Sequence, residues 1–159
     1  MSSDQTLRIW DLKGSNFSNP HIIYDHEEEI MTTAANNSSL MFASIDTDPT
    51  ILVRDLRNSA DVVSTLSKHG GGSFETGFIL YNSRVHNELF VFVNNELEVY
   101  DADGTVIQRA EFDANIVYAV QDEDVLIGAY QTGGLAVYPP ANYFVKQLTP
   151  ANTQPAAGK

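Results

Sequence analysis

The sequence predicts an all-β protein assembled from repeated four-stranded units. Three observations lead there. Apolar positions show almost no helical periodicity; short runs rich in Val, Ile, Tyr and Phe alternate instead with turns of Gly, Asn, Asp, Ser and Pro. The runs are spaced as an all-β sandwich, barrel or propeller requires. A strand ending in an aromatic or Arg residue then recurs at Trp10-Asp11, Arg54-Asp55, Tyr100-Asp101 and Tyr138-Pro139, at intervals of 44, 46 and 38 residues.

Each interval holds four runs. After Trp10 come His21–Tyr24, Ile30–Ala35, Leu40–Ser44 and Ile51–Arg54. Next follow Val62–Leu66, Thr76–Tyr81, Leu89–Val93 and Glu96–Tyr100, and then Val106–Ala110, Ile116–Val120, Val125–Tyr130 and Leu135–Tyr138. A last run, Tyr143–Leu148, precedes a polar tail at 150–159. A period of about 40–45 residues with four strands in each is the mark of a β-propeller, whereas a sandwich has no reason to repeat so regularly. The expected fold is therefore an all-β propeller of antiparallel four-stranded blades.

The segment Ser2-Ser3-Asp4-Gln5-Thr6-Leu7-Arg8-Ile9-Trp10-Asp11-Leu12-Lys13 resembles the WD-repeat family, whose strand reads Ser-x-Asp-x-Thr-Val-x-Val-Trp-Asp. In the second repeat Asp25-His26 stands in the Gly-His slot, and Asp48-Pro49-Thr50-Ile51-Leu52-Val53-Arg54-Asp55 follows the same strand with Arg in the Trp slot. Later repeats depart from the pattern. Lys68-His69 and Phe112-Asp113 fill the Gly-His slot, Tyr100 and Tyr138 the Trp slot, and Asn94 and Thr132 the Asp slot. The resemblance implies a buried chain of hydrogen bonds from a turn Asp through a His and a Ser or Thr to the Trp indole, locking each blade to the next. Asp4, Trp10, His26 and Asp48 are the residues it assigns to such locks. It also implies that the repeat is offset from the blade, so Trp10 lies on a third strand and His21–Tyr24 on an outer fourth. The implied divisions are a half-blade over 1–25 and full blades over about 26–67, 68–111 and 112–149. About three and a half blades result, an incomplete ring where rings use about 4–8. The missing blades are expected from the same longer chain or from another chain, with a fragment of a longer protein the preferred reading. Two copies would together make about seven blades.

Composition narrows the function. A net charge of −12, with nine basic residues scattered singly, opposes contact with nucleic acid or an anionic membrane. No cysteine is present, so thiol chemistry and cysteine-bound zinc are ruled out. The first residues lack the basic and apolar segments of a secretory signal, and the expected compartment is cytoplasmic or nuclear.

Motifs with chemical overtones fail on their context. His26-Glu27-Glu28-Glu29-Ile30 has Ile where a zinc helix needs its second His. His69-Gly70-Gly71-Gly72 lacks a nucleophile elbow, and Asp101-Ala102-Asp103-Gly104 reads as a hairpin turn rather than a calcium loop. Gln121-Asp122-Glu123-Asp124 reads as a solvated hairpin tip. No catalytic, cofactor or metal residue is assigned. The expectation is a protein-interaction scaffold, not an enzyme. Its candidate partner-binding residues lie in the loops leading into blades: Glu27, Glu28 and Glu29, then Phe74 and Glu75, then Phe112, Asp113 and Asn115. Carboxylates beside aromatic rings suit a basic peptide. The competing expectations are a propeller hydrolase (glycosidase or lactonase) using channel carboxylates, and an oligomeric subunit whose ring other chains complete.

Overall fold

The computed structural model describes residues 2–13, 19–36, 39–58, 61–67, 75–82, 88–122 and 125–138. These residues form antiparallel β-sheets joined in chain order, and their one helical element is a 3-10 turn at Leu56–Asn58. A two-stranded sheet comes first, β1 (Leu7–Ile9) and β2 (His21–Ile23). Next is a four-stranded meander of β3 (Ile30–Asn36), β4 (Met41–Asp46), β5 (Thr50–Asp55) and β6 (Asp61–Ser67). A second meander follows, of β7 (Gly77–Tyr81), β8 (Leu89–Val93), β9 (Glu96–Tyr100) and β10 (Val106–Glu111). The last sheet holds β11 (Ile116–Asp122), β12 (Val125–Tyr130) and β13 (Leu135–Tyr138). Each strand falls within two residues of the apolar run that predicted it. The run Tyr143–Leu148 lies outside the described residues. No described helix is long and apolar enough to cross a membrane.

The sheets stack face to face in series. Leu7, Ile9 and Ile23 of the first sheet pack on Phe42 of β4. The opposite face of that second sheet, with Ala43, Ile45, Ile51 and Leu66, packs on Ile79, Leu89, Val91, Val93 and Tyr100 of the third. Phe90, Phe92, Leu97 and Val99 then meet Ile116, Ala119 and Leu126 of the fourth. Within the stack β3 lies against β7, and β7 against β11, so the first strands of successive sheets adjoin.

Strand composition follows from this placement. Leu89-Phe90-Val91-Phe92-Val93 is apolar throughout and buried throughout, because β8 is a central strand covered on both faces. The outer strand β10 alternates half-buried and exposed residues, as a half-covered strand does.

The units also repeat in fine detail. Thr47 N donates to Glu29 O at 3.0 Å, Asn94 N to Thr76 O at 2.9 Å, and Gln131 N to Asn115 O at 2.8 Å. These bonds pair the end of each second strand with the residues leading into the first. They place Glu29, Thr76 and Asn115 in one structural position. At the other end of the sheets, the Asp after the first three of the aromatic or Arg slots turns the chain. Asp11 Oδ1 accepts from Lys13 N at 2.9 Å, Asp55 Oδ1 from Arg57 N at 2.9 Å, and Asp101 Oδ1 from Asp103 N at 3.0 Å. An Asp side chain that binds the backbone two residues on mimics a turn hydrogen bond, which is why the repeat keeps Asp there.

The Asp101–Thr105 segment is the β9–β10 turn, with Gly104 at φ +81°. A Cβ on Gly104 would lie 2.7 Å from Leu66 Cδ2 and 3.1 Å from Ser64 Oγ. Both strain and contact oppose a side chain here. Gly104→Ala is expected to lower stability by about 1–3 kcal/mol, read from the urea midpoint at unchanged slope.

Candidate functional site

Two polar clusters are buried where the first sheet covers the second. Ser44 and Asp46, two residues apart on β4, share a face, and His26 from the loop after β2 lies over both. His26 Nδ1 is 2.9 Å from Asp46 Oδ2, and Nε2 is 2.7 Å from Ser44 Oγ. A carboxylate oxygen accepts, so Nδ1–H is the donor to Asp46, and Nε2 is the ring atom that faces the Ser44 hydroxyl. The second carboxylate oxygen of Asp46 accepts from the backbone N–H of Asp48 at 3.1 Å and of Thr50 at 2.9 Å. One carboxylate therefore fixes both the β4–β5 turn and the loop descending from the neighbouring sheet.

This order, Asp to His to Ser, is also that of a nucleophilic triad. The Ser44 side chain is fully buried, 0% exposed, and His26 and Asp46 are buried with it. An acyl substrate has no approach to Ser44 Oγ in this arrangement. The cluster holds two sheets together.

The carboxylate on His26 is that of Asp46 and not that of Asp48, to which the sequence assigned it. Asp48 is exposed and contributes backbone, its N–H to Asp46 and its carbonyl to the Thr50 hydroxyl. Sheet alternation explains the difference: Asp46 continues β4 on the face of Ser44, whereas Asp48 lies within the turn. Trp10 also departs from its assignment. It is 48% exposed and flanks a groove beside β1. Asp4 lies in an exposed turn, where it accepts from Ser2 Oγ at 2.6 Å and Thr6 Oγ1 at 2.8 Å and pairs with Arg8. Hydrogen bonds from Ser2 and Thr6 hold its carboxyl well below the ordinary range.

The position of the repeat Trp is taken by Arg54, the largest fully buried side chain in the described residues. Its Nη2 donates to Asp25 Oδ2 at 2.9 Å, and its Nε and Nη1 have no hydrogen-bond partner among the described residues. Burial pulls the guanidinium below its ordinary pKa, with Asp25 opposing. Two unsatisfied buried donors make this a costly way to fill an apolar slot. Arg54→Met is accordingly expected to be neutral or to gain about 1–2 kcal/mol, measured by equilibrium urea unfolding.

The third sheet has a buried polar cluster of its own, whose partners all lie on its strands β9 and β10. Tyr100 donates its hydroxyl to Glu98 Oε2 at 2.7 Å, and Arg109 Nε lies 3.0 Å from Glu98 Oε1. Burial and the Glu98 carboxylate push the phenol of Tyr100 above its ordinary pKa. Asn94, in the left-handed region at φ 54°, accepts through Oδ1 from Glu75 N at 2.9 Å and Thr76 N at 3.1 Å. Nothing in the repeat pattern marks Glu98, because only its register opposite Val91 and Arg109 places it in the interface.

Among the loop candidates, Phe112 is a buried core residue stacked on Phe92 with ring centroids 6.3 Å apart, not an exposed contact. It lies three residues before Asn115, as His26 lies three before Glu29. An apolar plug thus stands in the fourth sheet where the second has a polar lock. Phe74 lies outside the described residues. Glu27, Glu28, Glu75 and Asp113 are exposed, and Glu29 is half-buried. The structure brings Glu75 and Asn115 together: Asn115 Nδ2 donates to Glu75 Oε2 and to Gln131 Oε1, each at 3.0 Å. All six belong to loops leading into first strands and so lie along one side of the stack.

The fold and the lock define a class of protein, an all-β stack of antiparallel sheets pinned by buried polar clusters. No family model and no curated protein sequence matches the chain.

Proposed function

We infer that the chain is a section of a WD-type β-propeller that serves as a protein-recognition scaffold. The observation that carries this reading is the bond from Asn115 to Glu75, which links the loops leading into two adjacent sheets. Loops joined in this way, with Glu27, Glu28 and Asp113 exposed in the equivalent loops, offer acidic groups on a rigid frame. The order of the sheets supports the propeller. They stack in series with first strands adjoining, as blades do around an axis, and the lock on His26 sits between one sheet and the next. Both ends of the stack leave apolar residues exposed, Trp10 and Ile22 at one and Val120 and Leu135 at the other, as a section of a longer ring would.

The expected ligand is a basic peptide. Fluorescence titration with Lys- and Arg-rich peptides should give binding that weakens with salt and falls about tenfold or more on combining Glu27→Gln, Glu28→Gln and Glu75→Gln. Binding indifferent to the Lys and Arg content of the peptide would refute the reading.

A further inference from the structure

We propose that a cavity between the second and third sheets binds a small neutral hydroxylic molecule, which bonds to the hydroxyl of Tyr81. Both sheets are four-stranded, and the cavity between them has a volume of about 50 Å³. Val53 and Leu66 of the second sheet and Leu89 of the third supply apolar walls, and Ser64, Tyr81 and Asp101 supply polar groups.

Tyr81 ends β7, and its hydroxyl is buried with no hydrogen-bond partner among the described residues. Buried hydroxyls nearly always have one. The next interface meets the same position with protein. Ile79 pairs with Val91 and Ala119 with Gly128; two residues on, Tyr81 pairs with Leu89 and Gln121 with Leu126. Gln121 Nε2 donates to Asn82 Oδ1 of the preceding sheet at 3.0 Å, whereas Tyr81 lines the cavity. The β9–β10 turn closes one side, with Asp101, Ala102 and Gly104 all in the lining. Gly104 approaches β6 so closely that a Cβ would stand 3.1 Å from Ser64 Oγ, which brings a second hydroxyl to the same space.

Size and chemistry select the occupant. A water needs about 10–15 Å³ of such space, so about 50 Å³ admits about three waters or one molecule of about four heavy atoms. The lining holds no Lys, Arg or His to attract an anion. Its one carboxylate, Asp101, accepts through Oδ1 from the backbone N–H groups of Asp103 and Thr105 at 3.0 and 2.8 Å, and a lone carboxylate makes a poor cation site. Burial pushes the Tyr81 phenol up to about 12, so at neutral pH it carries its proton and both donates and accepts. The Ser64 hydroxyl has the same capacity. A hydroxyl group on the ligand answers both, and a short alkyl group suits the apolar walls. Water and the smallest alcohols share that chemistry.

The test uses the whole chain with 2-propanol as the probe, followed through the methyl resonances of Leu66, Leu89 and Ala102. Their shifts are expected to saturate with a Kd of about 1–100 mM, within reach of a ligand of about four heavy atoms. Tyr81→Phe should raise that Kd at least about fivefold. Ala102→Leu, which fills the cavity from an exposed turn position, should abolish saturation. If water is the ligand instead, the same methyls should show contacts to long-lived water that persist in 2-propanol and vanish in Tyr81→Phe, which supports the site and names its occupant. Shifts that stay linear, with no long-lived water beside these methyls, would overturn the proposal. Saturation or water contacts that Tyr81→Phe leaves unchanged would overturn it as well. Neither variant alters the acidic loops, so the result stands apart from the scaffold reading.

Discussion

Asp46→Ala is expected to cost about 3–5 kcal/mol, because removing this buried carboxylate leaves several donors unpaired at about 1–3 kcal/mol each. For a domain whose whole stability is about 5–15 kcal/mol, that brings the chain close to unfolding. Three donors lose their acceptor together: His26 Nδ1–H and the backbone N–H groups of Asp48 and Thr50. Asp46→Asn keeps one acceptor oxygen, enough for His26 or for the two backbone N–H groups but not for both, and should lose about half as much. Ser44→Ala removes a single neutral bond and should cost about 1 kcal/mol. The graded series, read by urea unfolding, distinguishes a lock from an ordinary turn residue. In an ordinary turn Asp46→Ala would cost no more than Ser44→Ala.

Phe92→Ala is expected to cost about 3–5 kcal/mol at the other end of the stack. Phe92 is 1% exposed, its ring lies between Phe78 at 6.4 Å and Phe112 at 6.3 Å, and it joins the third sheet to the fourth. Stacked units contact mainly their neighbours, so the loss should be local. Amide exchange should speed up first in β11–β13, with β3–β6 retaining protection. Uniform loss of protection through all the sheets would show that the units do not behave as a linear stack.

The sequence made the strands legible because each is a short apolar run closed by turn residues, and the period made their grouping into units legible. His26 was legible as a lock residue because Asp25-His26 stands in the Gly-His slot of the resemblance. Its carboxylate was not, because the pattern offers two Asp residues in one turn and only the alternation of β4 decides between them. Phe112 looked like a loop aromatic, since linear sequence does not show that this position is the one His26 fills in the second sheet. Glu98 carries no motif at all. Its burial depends on which strands lie on either side, a property of register and stacking rather than of neighbours in sequence. The acidic loops were visible as residues, but the contact between Glu75 and Asn115 spans 40 positions and needed the fold.

The serial stacking of sheets with adjoining first strands is the claim on which the locks, the loop surface and the cavity all depend. Proton–proton Overhauser contacts in solution test it most directly through two ring pairs, Phe78 with Tyr118 at 5.2 Å between β7 and β11, and Phe92 with Phe112 at 6.3 Å. Both pairs should give cross-peaks, together with contacts from Ala43 and Ile45 to Val91 or Ile79. Cross-peaks from Ala43 and Ile45 to Leu126 or Ile116, with none to β7 or β8, would place the second sheet against the fourth and contradict the account.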